Sequence, residues 1–273
     1  MVRRLPTPDA CAFIISYDGE NVANQVDLSV IIPAWNEAVS LEETLDRISD
    51  ALRANEAHGL KWEIVVCDNA STDDTAEIAR RAGARVVFEP ERGIARARNA
   101  GARVARGEWL LFIDADSYPP PELLSEVRAL VGEGGIVGCG ATMRPVGGTW
   151  WMRAKIRRDN VVLWLLGLSA GVFILCRRDA FQAIGGFSAD LYALEELDFV
   201  VRLRHHGRVR KQGFRVLHRH PVVTSARAKG GFVTVFVSVV VAFALLLLHT
   251  LLPKPLRIRG GKKLLGFWYP PRR

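Results

Sequence analysis

The chain has 273 residues, enough to bury a substantial core as one domain or one domain with an appendage. Its 49% apolar content excludes a disordered protein, and its net charge of +8 calls for an anionic partner. No nucleic-acid recognition motif and no basic stripe interleaved with aromatics is present, so nucleic acid is set aside. An anionic membrane surface is expected instead, because basic residues crowd around an apolar stretch near the C-terminus.

The first 27 residues are weakly patterned, with an edge strand expected over 12–16. Leu28-Ser29-Val30-Ile31-Ile32 then predicts a buried strand. Pro33-Ala34-Trp35-Asn36-Glu37 breaks it. A helix is predicted over 40–55, with Ser40 and Glu43 in capping-box spacing and Leu41, Leu45, Ile48 and Leu52 on one face. A second strand over 62–67 ends in Asp68-Asn69-Ala70-Ser71-Thr72-Asp73. A helix over 74–82 leads to a third strand at 85–88. This alternation predicts right-handed βαβ units around a mostly parallel sheet.

Residues 92–101 are alanine-rich and helical, with arginines at 92, 96 and 98 and another just after at 103. Such a helix is either a solvated basic face or a clamp on a diphosphate in which Arg98 takes part.

Trp109-Leu110-Leu111-Phe112-Ile113 reads as a buried central strand running into Asp114-Ala115-Asp116, and the prolines at 119–121 turn the chain afterwards. Carboxylates at the carboxyl end of such a strand sit where open α/β sheets bind ligands. On an extended strand Asp114 and Asp116 point to one side. Two hard oxygen donors there make half a site for Mg²⁺ or Mn²⁺, with waters and a phosphate completing it. The other reading is a solvated turn capping the helix that follows.

A helix over 121–131 and a strand over 134–144 come next. A helix over 149–166 carries Trp150, Trp151 and Trp164 around a basic middle of Arg153, Lys155, Arg157 and Arg158. It suits a membrane surface or acceptor groove, or is an ordinary partly exposed helix. A strand over 170–176 and a short helix over 179–184, ended by Gly185-Gly186-Phe187, follow. Residues 193–207 start a helix with Glu195, Glu196 and Asp198. These acids either favour the helix dipole or supply a general base.

Across residues 28–227 the ordered set of motifs resembles the family 2 glycosyltransferases. The set comprises the 29–37 segment, Asp68 to Asp73, Ala97-Arg98-Asn99-Ala100-Gly101, Asp114-Ala115-Asp116, Gly185-Gly186-Phe187, and Glu195-Glu196 with Asp198 and Arg202. The resemblance implies a GT-A fold, a Rossmann-like α/β domain with helices flanking the sheet. It implies that Pro33, Trp35, Glu37 and Asp68 line the pocket of a nucleotide-sugar donor, with Trp35 packed on the base. Asp116 would hold the divalent cation and Asp114 would contact ribose or sugar. One of Glu195 and Glu196 would be the catalytic base, in an inverting displacement. Many relatives have Glu-Asp at this pair with the aspartate as base, and Glu196 stands at that place. Relatives that use UDP-sugars often carry a second acid that contacts the uracil where this chain has Asn69. The donor nucleotide is therefore left as UDP, GDP or dTDP. His220 (or His218) is a candidate further metal ligand, and Arg227 a candidate diphosphate contact.

The domain reading is an extension over 1–27, a catalytic domain over 28–228, and a hydrophobic helix with a basic tail over 229–273. Residues 230–253 carry no charge, and 232–252 are long enough to cross the hydrocarbon core. A true span, a re-entrant or in-plane helix, and a helix buried on the domain or in a dimer are all compatible with this stretch. A simple span would put the basic tail outside, against the positive-inside tendency. No signal peptide is visible, and the four cysteines are scattered like small core residues of a reducing compartment. The expectation is a membrane-associated enzyme with its catalytic domain in the cytoplasm and a lipid or glycan acceptor.

Overall fold

The structure is a computed structural model, and it describes residues 26–56, 59–191 and 194–225. The 1–25 segment, Arg227 and the apolar stretch over 232–252 lie outside the described residues. Among the described residues no helix is long and apolar enough to cross a membrane.

Among the described residues eight strands form one sheet in the order β3-β2-β1-β4-β7-β6-β8-β5. The first half is built from β1 (Leu28–Ala34), β2 (Trp62–Asp68), β3 (Arg85–Phe88) and β4 (Trp109–Ile113), all parallel. The helices between them are α1 (Ala38–Glu56), α2 (Thr75–Arg81) and α3 (Ile94–Val104). The second half holds β5 (Ser117–Tyr118), β6 (Ile136–Val146), β7 (Phe173–Arg177) and β8 (Gly213–Ser225). There β7 runs antiparallel to β4 and β6, and β8 runs parallel to β6 and antiparallel to β5. The remaining helices are α4 (Pro121–Glu133), α5 (Trp150–Leu166), α6 (Arg178–Ala183) and α7 (Glu195–Val209). The predicted α/β architecture and its βαβ half are present.

The period of two along the central strands puts alternate residues into two cores. Val30, Ile32, Leu111 and Ile113 face one core with the apolar sides of α1, α2 and α4. Ile31, Leu110 and Phe112 face the other, with α3, α6 and α7. In α1, Leu41, Leu45, Ile48 and Leu52 are fully buried, as their spacing predicts, and each such side chain stabilises by about 1.5–3 kcal/mol.

Two local expectations are corrected, and one strand is added. The capping box of Ser40 and Glu43 does not form, because α1 begins earlier. Its first turn is satisfied from the neighbouring loop, where Asp73 accepts from the Ala38 amide and the Thr75 hydroxyl from the Glu37 amide. Asp114 and Asp116 are not on the strand: β4 ends at Ile113, and a turn closed by the Ser117 amide on the Asp114 carbonyl holds the pair. The chain turns there because Ser117 and Tyr118 pair with Thr224 and Val223 of β8. Finally, β8 itself was not foreseen. Its polar residues break the apolar pattern, and Pro221 sits where the register with β6 shifts between Ala141 and Met143.

Candidate active site

The carboxyl ends of β1, β2 and β4 lie side by side, and their loops form one site. After β1, Asn36 takes a left-handed conformation (φ 53°) and ties its loop to the next, bonding to Ser71 and Thr72. After β2, Asp68 accepts from the Ser71 amide, so it shapes its own loop. Trp35 stands at the rim with the Arg92 guanidinium over its ring at 4.3 Å. Glu37 accepts from the Ser40 hydroxyl. Pro33 sits opposite Cys67 near the carboxyl end of β1.

Asn69 has a different task from the one its position in the sequence implies. Its amide nitrogen donates to the Glu89 and Glu91 carbonyls, and its oxygen accepts from the Gly93 amide. The side chain is buried and brackets the β3–α3 loop. Its polar atoms are engaged by the backbone of that loop.

The centre of the site is Arg98. The clamp reading expected its guanidinium to meet a diphosphate; instead its side chain is only 2% exposed. One nitrogen donates to Glu195 at 3.2 Å, another to Asp114 at 3.1 Å, and the Gly171 carbonyl accepts at 3.1 Å. This placement follows from the small residues of α3. Ala95, Ala97, Ala100 and Gly101 face the sheet, and a Cβ on Gly101 would lie 2.5 Å from the Ile31 side chain. The helix therefore seats close enough for an inward arginine to reach Asp114, Glu195 and Gly171. The other arginines of α3 stay outside, Arg96 on Glu91 and Arg103 on Glu89.

The acidic helix α7 is docked onto the same centre. Asn99, next to Arg98, donates to the Phe187 carbonyl and accepts from its amide, which fixes the Gly185-Gly186-Phe187 loop. Arg202 binds Asp198 and the Ile184 and Gly186 carbonyls, so Asp198 serves the scaffold. Phe187 stacks on Phe199 at 4.1 Å and meets Phe112 edge-on at 4.9 Å. Glu195 opens α7 after Leu194, which is left-handed at φ 65°. Left-handed non-glycine residues cost free energy; Asn36 and Leu194 each adjoin a site residue, and Ala70 lies in the loop that follows Asp68.

Burial pushes the Glu195 carboxyl up to about 8, helped by the charge of Glu196 and opposed by Arg98. Burial likewise pushes Asp114 up to about 6, with Arg98 opposing and Asp116 and Glu196 adding to it. Glu196 is thus close to both groups, and it is the more exposed of the two glutamates. Asp116 is held from β8, accepting from the Ser225 hydroxyl, while the Ser117 hydroxyl donates to its other oxygen.

Among the described residues no three His, Cys, Asp or Glu side chains are grouped to hold a metal. His220 therefore does not join Asp114 and Asp116 in such a set. His218 packs edge-on against Trp164 instead, with ring centroids 5.5 Å apart. Cys67, Cys139 and Cys176 are buried free thiols, as their scatter predicts. Burial raises all three, Cys67 and Cys139 to about 12, so they carry no chemistry here.

Comparison with known proteins adds to this geometry. Residues 29–185, more than half of the chain, match the family model described as glycosyl transferase family 2. A PGL/p-HBAD biosynthesis glycosyltransferase of Mycobacterium bovis is 31% identical over 184 residues, covering 64% of this chain and 68% of that protein. A dolichol-phosphate mannosyltransferase of Pyrococcus furiosus is 34% identical over 119 residues, covering 42% of this chain and 32% of that one. The chain thus spans only about a third of the Pyrococcus relative's length. Among solved structures, a mannosyltransferase from Pyrobaculum calidifontis in complex with GDP-Man and Mn²⁺ is similar, with a TM-score of 0.58 and 26% identity. That match covers 75% of this chain and 58% of that one. Glucosyl-3-phosphoglycerate synthase from Mycobacterium tuberculosis shares the fold, with a TM-score of 0.57 at 22% identity over 83% of this chain and 78% of that one. The fold is α/β and GT-A-like.

Proposed function

Because the chain belongs to glycosyltransferase family 2, we propose that it moves a sugar from a nucleotide-diphosphate donor to a lipid or cell-surface glycan acceptor, with inversion. The domain over 28–228 would do this on the cytoplasmic side of a membrane. The observation that supports this reading is Arg98. It joins Asp114 of the aspartate turn to Glu195 of the acidic helix, bringing motifs distant in the sequence together.

In this account Trp35 and Pro33 form a shelf for the nucleotide base, and Asp68 and Glu37 shape the loops around it. Asp116 and Asp114 offer hard carboxylate oxygens, and their shared turn carries more negative charge than Arg98 balances. That donor set fits Mg²⁺ or Mn²⁺, with diphosphate oxygens and waters filling the other positions. A bound cation would neutralise the leaving diphosphate. Arg227, beyond the last described strand, is retained as a diphosphate contact.

Glu196 is the proposed base. Glu195 is committed to Arg98 and buried, whereas Glu196 is accessible to an acceptor. Glu196 takes the proton of the acceptor hydroxyl as that oxygen bonds to the anomeric carbon. The bond from that carbon to the diphosphate oxygen breaks on the opposite face. Glu196→Gln should lower transfer by about 10²–10⁴-fold while donor binding is unchanged. Near-normal turnover in that variant would remove Glu196 from the role.

A polyprenyl phosphate is the second acceptor reading. It is favoured by the basic helix α5, which leads into the loop whose Gly171 carbonyl binds Arg98. A non-catalytic scaffold is the alternative outside enzymes, and it predicts no metal-dependent nucleotide binding.

A further inference from the structure

Helix α5 buries one residue, Met152, along its whole length. Trp150 is 77% exposed, Val161 51%, Trp164 47% and Leu165 70%. Positions 150, 154, 157, 161, 164 and 165 recur at steps of three and four, so these residues share one outward face. Arg157 lies on that face and Arg153 beside it, both exposed and neither in an ion pair among the described residues. Tryptophans stand near both ends of the face, about 21 Å apart at 1.5 Å per residue.

The helix is nonetheless fixed to the domain. The Asn160 side chain donates to the Met143 carbonyl and accepts from the Met143 amide, bracketing the β6 backbone where its register shifts. Leu163 packs on the second core. Lys155 pairs with Asp159, and Arg204 donates to the Leu166 carbonyl at the end of the helix. A rigidly mounted helix with an apolar outer face is a surface awaiting a partner.

We propose that this face lies on an anionic phospholipid bilayer, with Trp150, Val161, Trp164 and Leu165 in the headgroup boundary and Arg153 and Arg157 on lipid phosphates. Charge complementarity selects this occupant. The helix carries four basic residues against one acid, and the chain carries +8. Interfacial helices combine Trp and Leu with Arg in this way. The uncharged stretch over 230–253 follows β8 within a few residues, so the same chain supplies a second apolar segment. The inference rests on the proposed membrane association and names the surface that would carry it.

The test uses the full chain in a Cys11→Ser background, since the other three cysteines are buried. An environment-sensitive fluorophore is placed at Val161→Cys, or for comparison at Val39→Cys on α1, where the native residue is 98% exposed. Vesicles of phosphatidylcholine with phosphatidylglycerol should shift the Val161 probe to the blue, and spin-labelled lipid should quench it. The Val39 probe should not respond. Adding Arg153→Gln and Arg157→Gln should reduce the Val161 quenching several-fold. Flotation of the protein with vesicles while the Val161 probe stays unshifted would overturn this inference and leave membrane association standing. Absence of flotation would overturn both. A Val161 probe already shielded without lipid would give the face to a second copy or to the chain's own apolar segment, and would overturn it as well.

Discussion

Helices α3 and α5 are both rich in arginine, and the fold uses them in opposite ways. In α3 the residues facing the sheet are alanine and glycine, so the helix seats deeply and Arg98 is drawn inward by two carboxylates. In α5 bulky residues point outward as well as inward, one residue is buried, and Arg153 and Arg157 remain in solvent. The difference teaches that the size of the neighbouring residues decides where an arginine goes. An arginine count cannot separate a buried strut from a basic surface.

The largest effect is expected at the strut. Arg98→Ala leaves the Asp114 and Glu195 carboxyls without their cation, and losing one partner of a buried ion pair costs about 3–5 kcal/mol. Urea unfolding should show that loss together with loss of transfer. Arg98→Lys, which keeps the charge but not the planar fork, should fall between the variant and the native protein. An Arg98→Ala protein of native stability would break the contrast between the two helices.

A smaller effect is expected from pH. The folded protein holds the Glu195 proton up to about 8 and the Asp114 proton up to about 6, both above the ordinary carboxylate range. The folded state then binds more protons than the unfolded chain, so stability falls as pH rises through these values. In metal-free buffer the urea midpoint should decline from pH 5 to pH 9. Glu195→Gln should flatten the upper part of that decline. A midpoint that climbs over this range would contradict the assignment of burial as the dominant cause.

The smallest effect is expected at the surface. Arg153→Gln with Arg157→Gln should leave the unfolding free energy within about 0.5 kcal/mol, as for most exposed substitutions. A large loss would mean that Arg153 or Arg157 is tied into the domain as Arg98 is, and would blur the comparison.

Much of this was legible in the residues. The βαβ half was readable because β1, β2 and β4 are apolar runs and α1 keeps a clean helical period. The motif order led to the carboxyl ends of those strands, where the candidate residues gather. The inward turn of Arg98 was not foreseen, although the small residues around it were a usable signal: a helix lined with Ala and Gly on one side packs closely, and an arginine on that side must find buried acids. The role of Asn69 was hidden for a related reason, since its partners are backbone atoms of a loop 20 or more residues away. Strand β8 was missed because Pro221 and the alternating His and Arg residues read as a breaker and a surface. Its register shift accommodates the proline, and its far end is what holds Asp116.

The central claim is a metal-dependent nucleotide-sugar site at the aspartate turn. Calorimetry with UDP, GDP and dTDP, each with and without Mn²⁺, on the native chain and on Asp116→Ala addresses it directly. The account predicts that at least one nucleotide binds only in the presence of the metal and that Asp116→Ala abolishes this binding. Nucleotide binding that is indifferent to metal and to Asp116, or no binding at all, would contradict it.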